Sequence, residues 1–259
     1  MAYETLLTEI QDNIFTITIN RPDKLNALNA QVMQDLNTVM DEVYSNDEIR
    51  SVILTGAGAK SFVAGADISG FVGLSVEEGK ALAKKGQDIF FKIENSPKPM
   101  VACVNGFALG GGCELAMSCH FRIASTNAKF GQPEVNLGIL PGYGGTQRLT
   151  QLIGKGRALE LLMSANMIDA PTALQYGLVN YVVPQEELLD KAKSILTVIN
   201  SKAPKAVAGC ITAANAVFDE SRNGYNTEVE AFGECFGTED MKEGTAAFLE
   251  KRKANFTGR

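Results

Sequence analysis

The sequence predicts an α/β fold in which strands and helices alternate as far as residue 183 and helices alone follow. Three observations carry that reading. Phe15, Ile17 and Ile19 alternate with Thr16 and Thr18 at the two-residue period of a strand, and Val32, Met33, Leu36, Val39, Met40 and Val43 then fall at helical spacing. An apolar run at 100–104 is followed by Gly110, Gly111 and Gly112 and by Cys113-Glu114-Leu115-Ala116-Met117, a strand, a bare turn and a helix start. From Pro204 onward the chain carries helical patterns and no convincing strand.

Each element has a local reason. Arg21-Pro22 ends the first strand, and Asn29 caps the helix that follows. Residues 51–55 read as a short buried strand. Gly56-Ala57-Gly58-Ala59-Lys60-Ser61 invites comparison with a phosphate loop, but it lacks that spacing and leads into an extended segment, so it is read as a turn. Ser75 with Glu78 forms a capping box for a helix carrying Ala81, Leu82, Ile89, Phe90 and Ile93, which stops before Pro97. Residues 157–163 look helical, Asp169 and Pro171 open a short helix, 179–183 read as a strand and 184–199 as an amphipathic helix. Thr238-Glu239-Asp240 caps the last helix. A boundary near 201–204 divides a mixed core, residues 1–200, from a helical region, residues 201–259.

Composition narrows the function classes. With 259 residues, 45% hydrophobic and 21% charged, the chain has the make-up of a soluble globular protein. A net charge of -6 gives no support for binding nucleic acid or an anionic membrane, although a local basic pocket for a phosphorylated ligand is compatible with it. The five cysteines, Cys103, Cys113, Cys119, Cys210 and Cys235, lack zinc-type spacing, and His120 is the one histidine, so no metal site is expected. Unpaired thiols in apolar runs suit a reducing, cytoplasmic setting. Residues 1–10 lack the basic and apolar blocks of a leader, and the most apolar window, 100–119, is broken by Asn105, four glycines and Glu114, which makes it a poor membrane span.

The glycine turn is where chemistry is expected. Glycines admit a ligand close to the backbone, and the first turn of a helix leaves N–H groups without intrahelical partners, so negative charge on an oxygen is stabilised there. Glu114 lies in that first turn, and Glu134 follows Pro133 in a second glycine-bearing segment. Two carboxylates beside an oxyanion site suggest acid–base chemistry on an acyl group. Taken singly, a helix-start glutamate compensates the helix dipole and a glutamate after proline is a solvated loop residue; the pairing changes that reading.

Asn105-Gly106, Ala108 to Glu114, Phe130-Gly131-Gln132-Pro133-Glu134 and Pro141-Gly142-Tyr143-Gly144-Gly145-Thr146 resemble the signature of the enoyl-CoA hydratase (crotonase) family. Asn20-Arg21-Pro22, Asn26-Ala27-Leu28, residues 62–68 and residues 250–256 extend the resemblance over essentially the whole chain. It implies a crotonase (ClpP/crotonase-like) fold, with repeated ββα turns wound as a superhelix and a helical C-terminal region packing on neighbouring subunits of a homo-oligomer, a trimer or dimer of trimers. The implied substrate is an acyl-CoA thioester. The implied reaction is reversible syn hydration of a short-chain trans-2-enoyl-CoA such as crotonyl-CoA to the 3-hydroxyacyl-CoA. No separate cofactor is implied, because coenzyme A is part of the substrate, and neither nucleic acid nor membrane is a partner.

Residue by residue, the resemblance makes the N–H groups of Ala66 and Gly111 the oxyanion donors. It makes Glu114 mainly the base toward water and Glu134 mainly the acid toward C2, while the N–H of Gly142 helps place the water. Ala64, Asp67 and Ile68 would border the adenine, and Lys24, Leu25 and Asn26 the pantetheine. Where many relatives read Asp-Ile-Lys-Glu this chain reads Asp67-Ile68-Ser69-Gly70, so a phosphate contact must come from another cation, with Lys24, Lys60, Lys251 and Lys253 as candidates. Tyr143 replaces a small residue and is expected to shorten the acyl pocket. His120 is read as a core or surface residue and Cys113 as a small packing residue, neither as catalytic. Rival readings are another activity of the family, such as an enoyl-CoA isomerase, and a non-catalytic acyl-CoA-binding protein; retention of both glutamates weighs against each.

Overall fold

The computed structural model describes residues 3–259. Met1 and Ala2, part of the stretch read above for a leader, lie outside the described residues. Strands β1 (Leu6–Gln11) and β2 (Ile14–Ile19) form an antiparallel hairpin, and Asp12 and Asn13 turn it with φ of 53° and 61°, the left-handed pair such a two-residue turn requires. Helix α1 (Ala30–Ser45) follows, and the Asn29 side chain accepts from the Val32 N–H at 2.9 Å, as its sequence position predicts.

The chain then repeats one motif. β3 (Ser51–Gly56), β4 (Ser61–Ala64) and α2 (Val76–Glu94) make the first turn; β5 (Met100–Val104), β6 (Phe107–Leu109) and α3 (Gly111–Ser118) make the second; β7 (Phe121–Ser125), β8 (Lys129–Gly131), α4 (Gly145–Ile153) and α5 (Lys155–Ser164) make the third. Within each turn the first strand joins one sheet and the second joins another. The six-stranded sheet has the order β1-β2-β3-β5-β7-β10 and the four-stranded sheet β4-β6-β8-β9, completed by β9 (Met167–Asp169), α6 (Ala170–Tyr176) and β10 (Tyr181–Val183). All neighbours are parallel except β1 with β2 and β8 with β9. This is the repeated ββα arrangement expected above.

Two buried asparagines fasten the corners between the sheets. Asn105 donates to the Gly56 and Gly58 carbonyls at 2.8 and 2.7 Å, and Asn26 donates to those of Ala57 and Ser61 at 3.0 and 2.9 Å. Each amide satisfies carbonyls that leave the sheet ladder at the turn. The segment 56–61 is therefore the corner between β3 and β4. Every residue of β3 and β5 is buried, as expected for parallel strands covered on both faces. One core joins α1, α2 and α3 to the inner strands; a second packs Ile53, Val101 and Ile123 against Leu188, Ala192 and Leu196.

The last helices are α7 (Leu188–Asn200), α8 (Pro204–Asn215), α9 (Gly224–Cys235) and α10 (Glu239–Glu250), and no described residue after Val183 lies in a strand. Several elements differ from expectation. The strand placed at 179–183 begins only at Tyr181, and the helix placed from 184 opens with a 3-10 turn before Leu188. The bare turn expected between β5 and α3 contains β6, too short at three residues to show a period. Helix α4 begins inside the glycine-rich stretch 141–147, for which the sequence suggested no element. Among the described residues no helix is long and apolar enough to cross a membrane.

Candidate active site

α3 starts hard against β4. A Cβ on Gly112 would collide with the Val63 carbonyl, so glycine there is what allows the helix to begin at the end of β6. The Gly111 N–H, in the first turn of α3, has no acceptor among the described residues. Facing it is a short bridge between Leu28 and Ala66. The Leu28 N–H donates to Gly65 at 2.9 Å and the Asp67 N–H to Leu28 at 2.7 Å, which turns the Ala66 N–H away from the bridge, again without an acceptor. Ala66 and Gly111 line the same cavity of about 1050 Å³. Much of its remaining wall is apolar, from Leu74, Leu82, Ile139 and Leu140.

Glu114 and Glu134 both open on this cavity. Glu114 is 2% exposed, and its Oε1 accepts the Tyr143 N–H at 2.8 Å and the Gly145 N–H at 2.7 Å; no protein donor reaches its Oε2 among the described residues. Burial pushes its carboxyl up to about 7, opposed by the Gly145 N–H and reinforced by the charge of Glu134. Glu134 opens a 3-10 turn, Glu134–Leu137, and is 9% exposed. Burial also carries its carboxyl up to about 7. With its amide nitrogen toward Glu134, buried Gln132 donates to both carboxylate oxygens at 3.1 Å.

The loop 142–145, which follows both carboxylates in the chain and is bonded to Glu114, completes the site. Gly142 lines the cavity, its N–H has no acceptor among the described residues, and its carbonyl accepts from Gln87 at 3.0 Å. The Tyr143 ring packs edge-on to Phe90, with centroids 5.6 Å apart, and lies where any side chain at Gly86 would have to go.

Of the residues assigned to the carrier, Ala64 and Ile68 line the cavity, and the Ala64 N–H donates to Leu25 at 3.0 Å, tying the 24–26 loop to it. Lys24, Leu25, Asn26 and Asp67 are not among the lining residues. Two of these side chains are otherwise engaged. Asn26 is fully buried at the corner between sheets, and Asp67 caps the turn Ile68–Phe71 by accepting from the Ser69 N–H and hydroxyl at 3.3 and 2.7 Å. These two side chains shape the loops that border the cavity. None of Lys60, Lys251 and Lys253 lines the cavity; Lys80 does.

His120 is half-buried, its Nδ1 accepts the Met100 N–H at 2.8 Å and its Nε2 meets the Glu94 carbonyl at 3.1 Å, while desolvation drives its pKa down to about 4. It is a neutral packing residue. Burial, with the charges of Glu134 and Glu114, pushes the Cys113 thiol up to about 12, far from a reactive thiolate. Among the described residues no three His, Cys, Asp or Glu side chains cluster as metal ligands. Sequence reasoning missed Gln132, Gln87, Arg148 and Lys80. Gln132 was visible inside the quoted motif, whereas the others act from a helix face whose neighbour is set only by folding.

Two unpaired N–H groups and two buried carboxyls around one apolar cavity form an arrangement that can stabilise an oxyanion and move protons beside it. The sequence model of the enoyl-CoA hydratase/isomerase family matches residues 9–259, and the chain belongs to that family. It is 50% identical over 257 residues to a crotonyl-CoA hydratase from Syntrophomonas wolfei, covering 99% of each chain. It is 49% identical over 254 residues to a short-chain-enoyl-CoA hydratase from Clostridium acetobutylicum, covering 98% of this chain and 97% of that one. The crystal structure of an enoyl-CoA hydratase from Bacillus anthracis superposes with a TM-score of 0.92 at 37% identity, covering 99% of this chain and 100% of that one.

Proposed function

We propose that the protein is an enzyme that reversibly adds water to a short-chain trans-2-enoyl-CoA such as crotonyl-CoA, giving the 3-hydroxyacyl-CoA. The observation that carries this reading is the meeting of the free Ala66 and Gly111 N–H groups with both glutamates in one cavity. In the forward direction the thioester oxygen takes the two N–H bonds. Glu114 removes a proton from water as its oxygen bonds to C3, the C2=C3 electrons move toward the thioester, and the charge collects on the carbonyl oxygen. Glu134 then delivers a proton to C2 from the same face. Each oxyanion donor is worth about 3 kcal/mol and each positioned acid or base on the order of 100- to 10,000-fold. The Gly142 N–H offers the attacking water a third fixed partner.

Coenzyme A enters as part of the substrate, and the reaction is redox-neutral, so the proposal needs no further cofactor. The apolar wall suits the acyl chain, with Tyr143 shortening that pocket, and Lys80 brings a cation to the cavity. The large exposed side chains of the C-terminal helices, Tyr225, Phe232, Phe248 and Leu249, support a homo-oligomer, which by resemblance is a trimer or dimer of trimers. Buried unpaired thiols support a cytoplasmic setting. Loss of the conjugated-thioester absorbance on mixing purified protein with crotonyl-CoA tests the reading. Binding without loss, or conversion only of a 3-enoyl-CoA, would replace it with a binding protein or an isomerase.

A further inference from the structure

The strongest unexplained feature lies behind the loop 142–145. Three successive peptide groups there are each held from outside. The carbonyl of the Gly142–Tyr143 peptide accepts from Gln87 at 3.0 Å while its N–H donates to Glu114 at 2.8 Å. The carbonyl of the Tyr143–Gly144 peptide accepts from Arg148 Nη1 at 2.8 Å. The carbonyl of the Gly144–Gly145 peptide accepts the Gln147 and Arg148 N–H groups at 3.1 and 2.9 Å, while its N–H donates to Glu114 at 2.7 Å. Gly142, Gly144 and Gly145 have wide conformational freedom, and Gly144 uses it at a φ of 103°. Without these outside bonds such a loop has no intrinsic reason to aim two N–H groups at one oxygen.

Arg148 is itself fixed. It is 4% exposed, its Nη2 and Nε donate to the two carboxylate oxygens of Glu94 at 2.7 and 3.2 Å, and its guanidinium stands 5.2 Å from the centre of the Phe91 ring. The Glu94 carbonyl is in turn held by Asn215 at 2.7 Å and by His120. Gln87, Phe91 and Glu94 all belong to α2, which supplies no acid or base to the site.

We propose that Gln87 and the Glu94–Arg148 ion pair are positioning residues: a clamp from α2 that fixes the 142–145 backbone and, through it, the Glu114 carboxylate and the free N–H of Gly142. The clamp deepens the hydratase reading and rests on it. Glu134, the Tyr143 phenol, the Cys113 thiol and Arg148 are the other titratable and charged groups around Glu114, so a change at uncharged Gln87 alters its hydrogen bonding without altering its charged neighbours.

The test compares Gln87→Leu and Arg148→Lys with the unsubstituted protein in crotonyl-CoA hydration, recording kcat, KM, the pH profile of kcat and the melting temperature. Misplacement of the carboxylate should lower kcat on the order of 10- to 100-fold in Gln87→Leu, with KM within about twofold. The pH limb belonging to Glu114 should move upward, because a loosened loop gives the ionised form weaker N–H bonds. Arg148→Lys, which keeps the charge but cannot make the fork, should change in the same direction. An unmoved limb in Gln87→Leu, or a kcat loss that only follows a fall in melting temperature, would overturn the clamp. If the unsubstituted protein does not hydrate crotonyl-CoA, the functional reading fails on its own. The clamp is then read from the Glu114 carboxyl titration by ¹³C NMR, where an identical midpoint in Gln87→Leu and the parent overturns it.

Discussion

Oε1 of Glu134 stands 2.8 Å from the place a Cβ on Gly110 would take. Gly110 also has a φ of 51° with ψ of -125°, a conformation side-chain-bearing residues avoid. The turn that starts α3 and the seat of the second carboxylate are thus one piece of geometry. Gly110→Ala should destabilise the fold by about 1–3 kcal/mol and lower turnover by on the order of 100-fold or more, because the carboxylate must move. Urea unfolding and steady-state kinetics check both; an alanine variant with ordinary turnover would show that Glu134 is not held where the reaction needs it.

The two carboxyls, each raised to about 7 by burial, should give hydration a bell-shaped pH dependence. The base must be ionised and the acid protonated, so activity falls on both sides of about pH 7. As a coupled pair they titrate in two macroscopic steps, and replacing either with glutamine should leave one limb in the residual activity. A flat profile between pH 5 and 9, both about two pH units from that midpoint, would argue against acid–base chemistry by this pair.

The same shifts make stability depend on pH with a definite sign. A carboxyl raised from its ordinary 4.5 to about 7 binds its proton more tightly in the folded state. Its contribution to stability is fully present below about pH 4.5 and is lost as pH rises through 7. For Glu114 that loss is on the order of 3 kcal/mol. Glu114→Gln keeps an oxygen for the Tyr143 and Gly145 N–H groups without the charge, so it should be more stable than the parent at pH 8 and lose that advantage toward pH 5. Denaturant titrations at the two pH values measure the difference.

Gly86 leaves the space into which the Tyr143 ring fits. Gly86→Ala should therefore expel the ring, cost about 1–3 kcal/mol by overpacking and lower turnover through the Tyr143 N–H. Adding Tyr143→Ala should restore the stability. Tyr143→Ala alone should raise the relative kcat/KM for longer enoyl-CoA substrates, which a series of chain lengths would reveal.

What was legible in the sequence divides along physical lines. Long periodic segments announced themselves: α1 and α2 through their apolar faces and the Asn29 and Ser75 caps, β2, β3 and β5 through alternation or apolar runs. β6, β8 and β9 did not, since three residues carry no period and their reason for being extended is a partner strand distant in the chain. Glu114, Glu134 and the glycine turn stood out because their chemistry is written in adjacent residues. Asn26 and Asp67 belong to the same recognisable signature, yet their side chains close a corner and cap a turn, a distinction that only the fold reveals. Gln87 and Arg148 act on the site across helix packing and leave no local signal.

The most direct test of the central claim is the hydration rate of crotonyl-CoA for the parent, Glu114→Gln, Glu134→Gln and the double variant, alongside binding of the 3-hydroxyacyl product. Two carboxyls acting on one water predict a loss on the order of 1,000-fold in each single variant, a double variant little worse than either, and nearly unchanged product binding. Turnover close to the parent's in either single variant would contradict the account.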